Sequence, residues 1–311
     1  MTSNRIMPPF SFYGGKSKIV VSIVRLFPPH RTYVEPFCGS ASVFFAKAPS
    51  PIEVLNDLDD GIYAFFRVLR DDEMALKLAK ALTFTPYSRH EFEDARDIWK
   101  YHPEKRGDFD LVEQARRWYV MTQQGFGRLA TGMAWGYDIT ASATGKGSTS
   151  VRTWTRRVKR LEACSHRLRL VEIEHDDYKA IMTRYDTPDT LFYLDPPYIA
   201  SGDKDDEDGV KDVSRGYVHR FNRQDHKDFL DTIMSVEGMV VLSGYQNPIY
   251  ARLDEAGWLR TGRLVVSSTS LIIRADVKKR RRIECAWLNP AAVEAWKRYE
   301  TRVKGRRKTK K

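Results

Sequence analysis

Short runs of apolar, β-branched and aromatic residues alternate along the chain with longer stretches of helical periodicity. The short runs predict strands at residues 32–36, 53–56, 170–174, 190–194, 239–243, 264–267 and 283–288. The periodic stretches predict helices at residues 16–26, 41–46, 61–70 and 225–235. Such alternation is typical of an α/β architecture with a parallel sheet.

The segment from residue 71 to about residue 169 has a different pattern. Helical stretches rich in Glu, Lys, Ala and Leu precede a span rich in glycine and threonine at 125–150, and no strand-like run interrupts them. Val158, Leu161 and Cys164 recur at helical spacing among basic residues, which predicts an amphipathic helix with a cationic face. We interpret the segment as a mainly helical insertion with one long surface loop.

Composition excludes several classes of protein. With 42% hydrophobic residues the chain is too apolar to be disordered, and no apolar run is long enough to span a membrane. The three cysteines form neither a disulfide framework nor a zinc pattern, so no metal site is predicted. His219 and His226 are interpreted as surface or loop groups. Because the N-terminal residues lack a secretory hydrophobic segment, we expect a cytoplasmic protein of bacterial or phage type.

Charge adds an expectation about partners. The 311 residues carry 52 basic and 41 acidic side chains, a net charge of +11. The basic residues concentrate at 151–170, at 278–282 and in the last ten residues, whereas 201–212 is acidic. This balance favours a polyanionic partner, although net charge informs association rather than fold.

The strongest chemical signal is LFYLDPPY at residues 191–198, in which an apolar strand ends in a carboxylate, two prolines and an aromatic ring. Ligands of open α/β sheets bind at the carboxyl ends of strands, and the two prolines must turn the chain out of the sheet. The Asp195 carboxylate and a neighbouring carbonyl then offer acceptors beside the ring of Tyr198. This combination suits a planar group that bears an NH2, and the alternative is an ordinary turn closed by a packing tyrosine.

Three weaker signals accompany this motif. The segment YVEPFCGSAS at 33–42 predicts a strand that turns at a glycine into a helix, whose N-terminus a small ligand can approach. Asp57 follows the next strand, where a carboxylate can accept hydrogen bonds from ribose hydroxyls. The segment FSFYGGK at 10–16 pairs a Gly-Gly turn with a lysine suited to a carboxylate. Each of these, taken alone, is also compatible with a simple turn.

Taken in order, the four segments resemble the Dam-type DNA adenine-N6 methyltransferases, the α-ordered group of S-adenosylmethionine-dependent amino-methyltransferases. That family has a GGK segment, an EPFxGxxSVF turn, ND after the second strand, a target-recognition insertion and DPPY after the fourth strand, and this sequence has them all. His175-Asp-Asp177-Tyr178 also resembles the short family motif that precedes DPPY. The likeness is good over residues 5–60 and 165–290, loose over 71–165 and absent in the tail.

The resemblance implies a Rossmann-like, mixed but mostly parallel sheet of the class I methyltransferase type with an inserted, mainly helical target-recognition domain. Residues 1–70 and 166–295 would form the catalytic domain, 71–165 the target-recognition insertion and 296–311 a basic tail. The implied cofactor is S-adenosylmethionine, released as S-adenosylhomocysteine. The residues implied to bind it are Tyr13, Gly15, Lys16, Glu35, Phe37, Gly39, Ser40, Asp57, Asp177 and Tyr178. Among these, Tyr13 and Lys16 would contact the methionine part, Asp57 the ribose and Asp177 the adenine.

The resemblance also implies double-stranded DNA as the partner, with the target adenine flipped out of the duplex. Asp195 and the Pro196 carbonyl would accept hydrogen bonds from the amine, Tyr198 would stack on the base, and Phe221 would either close the other side or pack in the core. The residues implied to bind DNA are Arg128, Arg152, Arg156, Arg157, Lys159 and Phe221, with Arg160 as a further phosphate contact. A monomer and a role in restriction–modification are compatible with this interpretation.

Two other functions stay open at this point. One is an RNA or cytosine-N4 amino-methyltransferase, although cytosine enzymes more often have serine at the position of Asp195. The other is a DNA-binding regulator that has the fold without turnover. The presence of both Asp195 and Lys16 argues against a regulator.

Overall fold

The computed structural model describes residues 6–12, 14–17, 19–128, 134–139, 148–198, 219, 221–261, 265–267 and 282–308. The strands are β1 (Thr32–Glu35), β2 (Ile52–Asn56), β3 (Glu172–Glu174), β4 (Thr190–Leu194), β5 (Met239–Tyr245), β6 (Leu259–Arg260), β7 (Val265–Ser267) and β8 (Arg282–Leu288). They form a mixed sheet in the order β3-β2-β1-β4-β5-β8-β6, with β7 also paired to β8. β1 to β5 pair in parallel, and β8 is antiparallel to β5, β6 and β7.

Helices cover both faces of this sheet. They are α1 (Val20–Val24), α2 (Asp60–Arg70), α3 (Asp72–Phe84), α4 (Arg89–Arg96), α5 (Leu111–Gln124), α6 (Thr149–Val158), α7 (Leu161–Leu168), α8 (Tyr178–Tyr185), α9 (Arg223–Ser235), α10 (Ala251–Glu255) and α11 (Pro290–Lys308). Alternate residues of β4 enter two hydrophobic clusters: Leu191 and Tyr193 pack with helices α1–α7 and α11, Phe192 and Leu194 with α8–α10. Because successive strand residues point to opposite faces, the sheet is the middle of three layers. The predicted Rossmann-like α/β class is confirmed.

Polar residues at the helix starts explain several boundaries. The carboxylate of Asp59 accepts from two backbone N–H groups of α2, and Asp71 and Asp110 each accept from one backbone N–H at the start of α3 and α5. Asn222 and Asp225 form a capping box at the start of α9. Such caps satisfy N–H groups that have no partner within the helix.

The predicted strands all coincide with described strands, but two helix predictions are wrong in extent. The helix predicted at 16–26 is α-helical only at Val20–Val24 among its described residues. The helix predicted at 41–46 is a single 3-10 turn, Phe44–Ala46. Ala41 has a left-handed φ of 50°, which interrupts a right-handed helix before it can form. No long helix therefore begins at the glycine turn after β1, contrary to the expectation of a helix N-terminus there.

The segment predicted as a helical insertion contains helices α3 to α7 and shorter helical turns joined by loops, and its described residues form no strand, only an isolated bridge between Gly125 and Trp135. The predicted cationic amphipathic helix is two helices, α6 and α7, and Val158, Leu161 and Cys164 on them are buried as expected. These residues belong to the same hydrophobic cluster as β1 and β4. The insertion thus packs directly against the helices of the sheet.

Two charged runs singled out by sequence, 201–212 and most of 278–282, lie outside the described residues. The basic tail is α-helical over most of its length, because α11 continues to Lys308.

Candidate active site

A cleft of about 430 Å³ opens where the parallel strands end. Residues that follow β1, β2, β3 and β4 line it, and β1 and β4 are the neighbours between which the chain order reverses. Ligands of open α/β sheets bind at such a switch point. The described residues predicted to bind the cofactor all line this cleft: Gly15, Lys16, Glu35, Phe37, Gly39, Ser40, Asp57, Asp177 and Tyr178. Tyr13 lies outside the described residues.

The turn after β1 forms one wall of the cleft. Gly39 has a left-handed φ of 48°, which glycine adopts without steric cost. Its N–H donates to Asp57 Oδ2 at 2.8 Å, and the Asp59 N–H donates to Asp57 Oδ1 at 3.0 Å. Burial and the nearby Asp59 raise the pKa of Asp57 to about 7. Asp57 therefore fixes the shape of the turn as well as lining the cleft.

Asn56 ties three strand ends together and was missed by sequence reasoning. Its Nδ2 donates to the Pro36 carbonyl at 2.9 Å and to the Asp176 carbonyl at 3.0 Å, and its Oδ1 accepts from the Asp176 N–H at 2.9 Å. The side chain is 1% exposed. A buried amide with this many partners holds the ends of β1, β2 and β3 at fixed spacing.

Aromatic rings form the wall beyond this point. The ring of Phe37 lies 5.3 Å from that of Tyr178 and 6.0 Å from that of Phe221, and Tyr178 and Phe221 are 5.8 Å apart. All three residues line the cleft. Phe221 was predicted either to close over the target base or to pack in the core. Phe221 packs against the hydrophobic core, as the second of these alternatives predicts, and it does so beside Phe37 and Tyr178, two residues predicted to bind the cofactor.

Asp195 directly follows β4 and has hydrogen-bonding partners on both carboxylate oxygens. Its Oδ2 lies 2.7 Å from Lys16 Nζ, and its Oδ1 accepts from the Tyr198 hydroxyl at 2.7 Å and from the Ser243 hydroxyl at 3.1 Å. Glu284 Oε1 lies 3.4 Å from Lys16 Nζ and accepts from the Tyr198 hydroxyl at 3.0 Å. The Lys16 ammonium and the Tyr198 hydroxyl therefore each lie between the same two carboxylates, those of Asp195 and Glu284.

Lys16 is held at this cluster. Its side chain is 4% exposed, and its Nζ also donates to the Gly14 carbonyl at 3.0 Å. Burial lowers the pKa of Lys16, but Asp195 and Glu284 outweigh burial and raise it above its usual value, so the ammonium stays charged. Burial raises the pKa of Glu284, an effect that Lys16 opposes. Lys16 was predicted to contact the methionine part of the cofactor. The residue does line the cleft, but its ammonium is paired with Asp195.

The remaining predicted catalytic residues lie beside this cluster. Pro196 is buried, and Tyr198 is partly exposed. The Tyr198 ring has Lys16 Nζ 4.6 Å from its centroid and the ring of Tyr245 at 4.7 Å in an edge arrangement. Burial and the two carboxylates raise the pKa of the Tyr198 phenol, so its hydroxyl is a donor at neutral pH.

Glu35 ends β1 and faces the same cleft as a neutral acid. It is 2% exposed and accepts from the Tyr33 hydroxyl at 3.0 Å. Burial raises its pKa to about 8, with Asp195 contributing in the same direction. The carboxyl is therefore protonated at neutral pH, and Glu35 does not supply a counterion to Lys16.

A stability measurement tests the protonation of Glu35. Because the acid has a pKa of 4.5 when unfolded and about 8 when folded, only the folded state binds its proton between these values, and stability falls as pH rises through that window. The Glu35→Gln variant, which mimics the neutral acid, is expected to melt a few degrees above the wild type at pH 9 and at nearly the same temperature at pH 4. Differential scanning calorimetry at both pH values measures this. An equal difference at the two pH values would contradict the assignment.

Sequence reasoning also missed Ser243 and Glu284. Ser243 lies in β5, and Glu284 lies in β8 opposite Tyr245. Glu284, Ala286 and Leu288 lie on the same face of β8, since strand residues two apart share a face. Ala286 and Leu288 belong to a hydrophobic core cluster, so this face is directed towards the core. A carboxylate at an otherwise core-facing position was the available signal.

His226 was predicted to be a surface or loop group, and this prediction is wrong. It is 0% exposed, its Nδ1 lies 3.0 Å from the Tyr250 hydroxyl, and its ring lies 4.8 Å from that of Phe221. Burial lowers its pKa to about 4, so the imidazole is neutral. His226 shares a helix face with the buried residues Phe229 and Leu230, which explains its position. His219, in contrast, is exposed.

The residues predicted to bind DNA separate into two groups. Arg152, Arg156 and Lys159 are exposed on or just after α6, and Arg160 is partly exposed. Arg157 is buried: its Nη1 donates to Gln123 Oε1 at 3.0 Å and its Nη2 to Ser11 Oγ at 2.7 Å. A guanidinium used in this way links α6 to the N-terminal segment and is not a phosphate contact. The side chain of Arg128 lies outside the described part.

Two other features are absent from the described residues, a membrane-spanning helix and a metal-binding cluster. None of the described helices combines the length and apolar character that a membrane span requires. Among the same residues, no group of three or more His, Cys, Asp or Glu side chains is arranged to hold a metal ion.

Comparison with known proteins identifies the family. A family model described as D12 class N6 adenine-specific DNA methyltransferase matches residues 12–248. This span contains the glycine turn, the helical insertion and the Asp195–Tyr198 segment, and it ends before β8 and Glu284. No curated protein matches the chain. Of the functions that the sequence left open, the match favours DNA adenine methylation over the RNA, cytosine-N4 and non-catalytic alternatives. The chain belongs to the D12 class of N6-adenine-specific DNA methyltransferases.

Proposed function

We propose that the protein transfers the methyl group of S-adenosylmethionine to N6 of an adenine flipped out of double-stranded DNA at a specific sequence. The observation that carries this proposal is the position of Asp195, which directly follows β4 on the wall of a cleft formed by the ends of the parallel strands. A donor in that cleft and an amine at Asp195 would lie side by side.

The cleft suits a donor that contains a nucleoside. Its volume of about 430 Å³ lies within the range of small-molecule sites. The rings of Phe37, Tyr178 and Phe221 offer faces for a flat heterocycle, and the carboxyls of Asp57 and Asp177 are acceptors for hydroxyl and amino groups. When bound, S-adenosylmethionine supplies an electrophilic methyl group on a sulfonium.

Asp195 and Pro196 would activate the target amine by orienting it. The amine of adenine is a weak nucleophile because its lone pair is delocalised into the ring. If its two N–H bonds donate to the Asp195 carboxylate and to the Pro196 carbonyl, the lone pair is directed out of the ring plane. Positioning and preorganised electrostatics then account for the catalysis without a covalent intermediate. Tyr198 would stack on the base.

The helical insertion and the basic tail would bind the duplex. We assign residues 1–70 and 166–295 to the catalytic domain and 71–165 to target recognition. The exposed Arg152, Arg156 and Lys159 form a cationic surface on α6, which suits phosphate contacts that position the protein without selecting a base. A base within a duplex cannot reach a cleft at a sheet edge, so the target must be flipped out. A monomer that acts in restriction–modification is consistent with this arrangement.

The proposal is tested by incubating duplex DNA with radiolabelled S-adenosylmethionine and then mapping the product by methylation-sensitive sequencing. We expect label on adenine N6 at one short recurrent sequence. Label on cytosine, or in RNA but not in DNA, would overturn the proposal.

The phosphate contacts have a separate test. The double variant Arg152→Gln/Arg156→Gln is expected to bind duplex DNA more weakly, with a slope of log K against log salt concentration shallower by about 1 to 2. Its methylated sequence should be unchanged, because phosphate contacts do not read bases. Fluorescence anisotropy at several salt concentrations measures the slope. The double variant Arg25→Gln/Arg67→Gln, which changes exposed arginines outside the insertion, is the control. An altered recognition sequence would show instead that these arginines read bases.

A further inference from the structure

The ion pair between Lys16 and Asp195 occupies the atom that the proposed reaction needs. Asp195 Oδ2 lies 2.7 Å from Lys16 Nζ, and Oδ1 already accepts from the hydroxyls of Tyr198 and Ser243. An incoming amine must therefore share or replace one of these partners. The Asp195 side chain is 19% exposed and Lys16 is 4% exposed, so water contributes little to compensating either charge.

A neutral amine competes poorly with an ammonium for a carboxylate. Both can donate to the carboxylate, but only the ammonium adds the attraction of a full positive charge, which is large in a site that holds little water. A buried ammonium also cannot leave its counterion without finding another one. Lys16 can therefore give up Asp195 only if a second anion is already within reach.

Glu284 meets this requirement. Its Oε1 lies 3.4 Å from Lys16 Nζ, and its side chain is 8% exposed. It reaches the cluster from β8, the antiparallel neighbour of β5, in register with Tyr245. The family match ends at residue 248, so Glu284 lies beyond it. Glu35, the other carboxyl of the cleft, is neutral at pH 7 because its pKa is about 8.

We propose that Glu284 is a positioning residue that accepts Lys16 when the target amine binds Asp195, an inference that rests on the proposed function. The number of charges in the cluster does not change during this exchange, because Lys16 stays paired throughout. The exchange frees Asp195 Oδ2 to accept from the amine.

Tyr198 is coupled to the same exchange. Its hydroxyl has one proton and two carboxylate neighbours, Asp195 Oδ1 at 2.7 Å and Glu284 Oε1 at 3.0 Å, so it donates fully to only one of them. When Lys16 moves to Glu284, that carboxylate gains an ammonium and Asp195 loses one. The Tyr198 proton then remains with Asp195, which keeps the catalytic carboxylate hydrogen-bonded and the ring in a fixed orientation.

The experiment compares binding of two duplexes in the presence of S-adenosylhomocysteine. One duplex carries adenine at the target position, and the other carries purine, which lacks the amine. We expect the wild type to prefer adenine by about tenfold, and the Glu284→Gln variant to prefer it by less than about twofold, because Lys16 remains on Asp195. The rate of a single methyl transfer at saturating DNA and donor should fall by about 10- to 100-fold in the same variant, while S-adenosylhomocysteine affinity stays within about threefold.

Two further variants separate positioning from structure. Glu284→Asp keeps the charge and should retain more of the adenine preference than Glu284→Gln. Glu172→Gln is the control, since Glu172 is a strand glutamate that also accepts from a tyrosine hydroxyl, at 2.7 Å from Tyr185, but belongs to edge strand β3. Its adenine preference and transfer rate should equal those of the wild type.

The outcomes are distinguishable. If the wild type transfers methyl groups to adenine and Glu284→Gln keeps both the wild-type preference and the wild-type rate, the role of Glu284 is overturned and the proposed function stands. Equal losses of preference in Glu284→Asp and Glu284→Gln, with a lowered melting temperature in both, would assign Glu284 a purely structural role. If the wild type transfers no methyl group to duplex DNA, the proposed function fails together with this inference.

Discussion

Replacing Asp195 with alanine is expected to reduce the rate of methyl transfer by about 10²- to 10³-fold, the size of loss seen when one preorganised hydrogen-bonding group is removed from an active site. The carboxylate is the acceptor at the end of β4 that we assign to the target amine. Affinity for S-adenosylmethionine should change little, and affinity for DNA should fall by no more than the roughly tenfold that the amine contact contributes, because the other cleft residues and the basic surface of α6 are untouched. Lys16 keeps Glu284 as a counterion within 3.4 Å, so the variant should still fold.

Single-turnover kinetics with labelled donor measure this loss, and anisotropy and calorimetry measure the two affinities. Asp195→Asn is informative beside it, since asparagine keeps one acceptor oxygen but cannot pair with Lys16. We expect Asp195→Asn to be faster than Asp195→Ala and much slower than the wild type. Asp231→Ala, at an exposed aspartate of α9, is the control. A rate near that of the wild type in Asp195→Ala would show that the catalytic assignment is wrong.

The strands and the residues at their ends were predictable because both signals are local. A strand buried on both faces is a short continuous apolar run, and the polar residue after it marks the point where the chain leaves the sheet. Asp57 and Asp195 were found in this way, and the structure places both on the wall of one cleft. Local signals of this kind need no knowledge of how distant segments pack.

The ends of helices and the partners of the catalytic carboxylate were not predictable in the same way. The strained φ of Ala41 ends a helical pattern without any proline or glycine at that residue. Glu284 joins Lys16 only because β8 pairs antiparallel with β5, which no local pattern indicates. Contacts between the two ends of a chain depend on the topology of the whole sheet.

Helical periodicity alone predicts that Arg157 and His226 are buried, contrary to the interpretation of Arg157 as a DNA contact and of His226 as a surface group. Arg157 follows Trp154 by three residues, so both lie on one face of α6, and that face is buried. His226 precedes Phe229 and Leu230 at helical spacing and is buried with them. In both cases the position of the side chain on the helix, and not its chemical character, determines its burial.

Substituting Gly61 with alanine is expected to lower the free energy of unfolding by about 3 kcal/mol, although alanine in a helix normally stabilises relative to glycine by about 1 kcal/mol. Gly61 lies in the first turn of α2, and a Cβ there would stand 1.9 Å from Cδ1 of Trp118 in α5. Trp118 cannot move aside readily, because it is 1% exposed and packs against Phe10 and Phe65 at 5.1 and 5.6 Å between ring centroids. The clash would therefore separate the insertion from the catalytic core.

The same clash would reach the cleft, since the Gly61 N–H donates to Asp59 Oδ1 at 2.8 Å and the Asp59 N–H donates to Asp57. Urea denaturation measures the stability. Gly107→Ala is the matched control, because nothing lies within 4 Å of a Cβ at Gly107, and its effect should be within about 0.5 kcal/mol. The double variant Gly61→Ala/Trp118→Phe should regain part of the lost stability, because the phenylalanine ring is smaller than the indole. If Gly61→Ala is as stable as the wild type, the insertion can move on the core without penalty, and the close packing of α2 on α5 does not hold the two together.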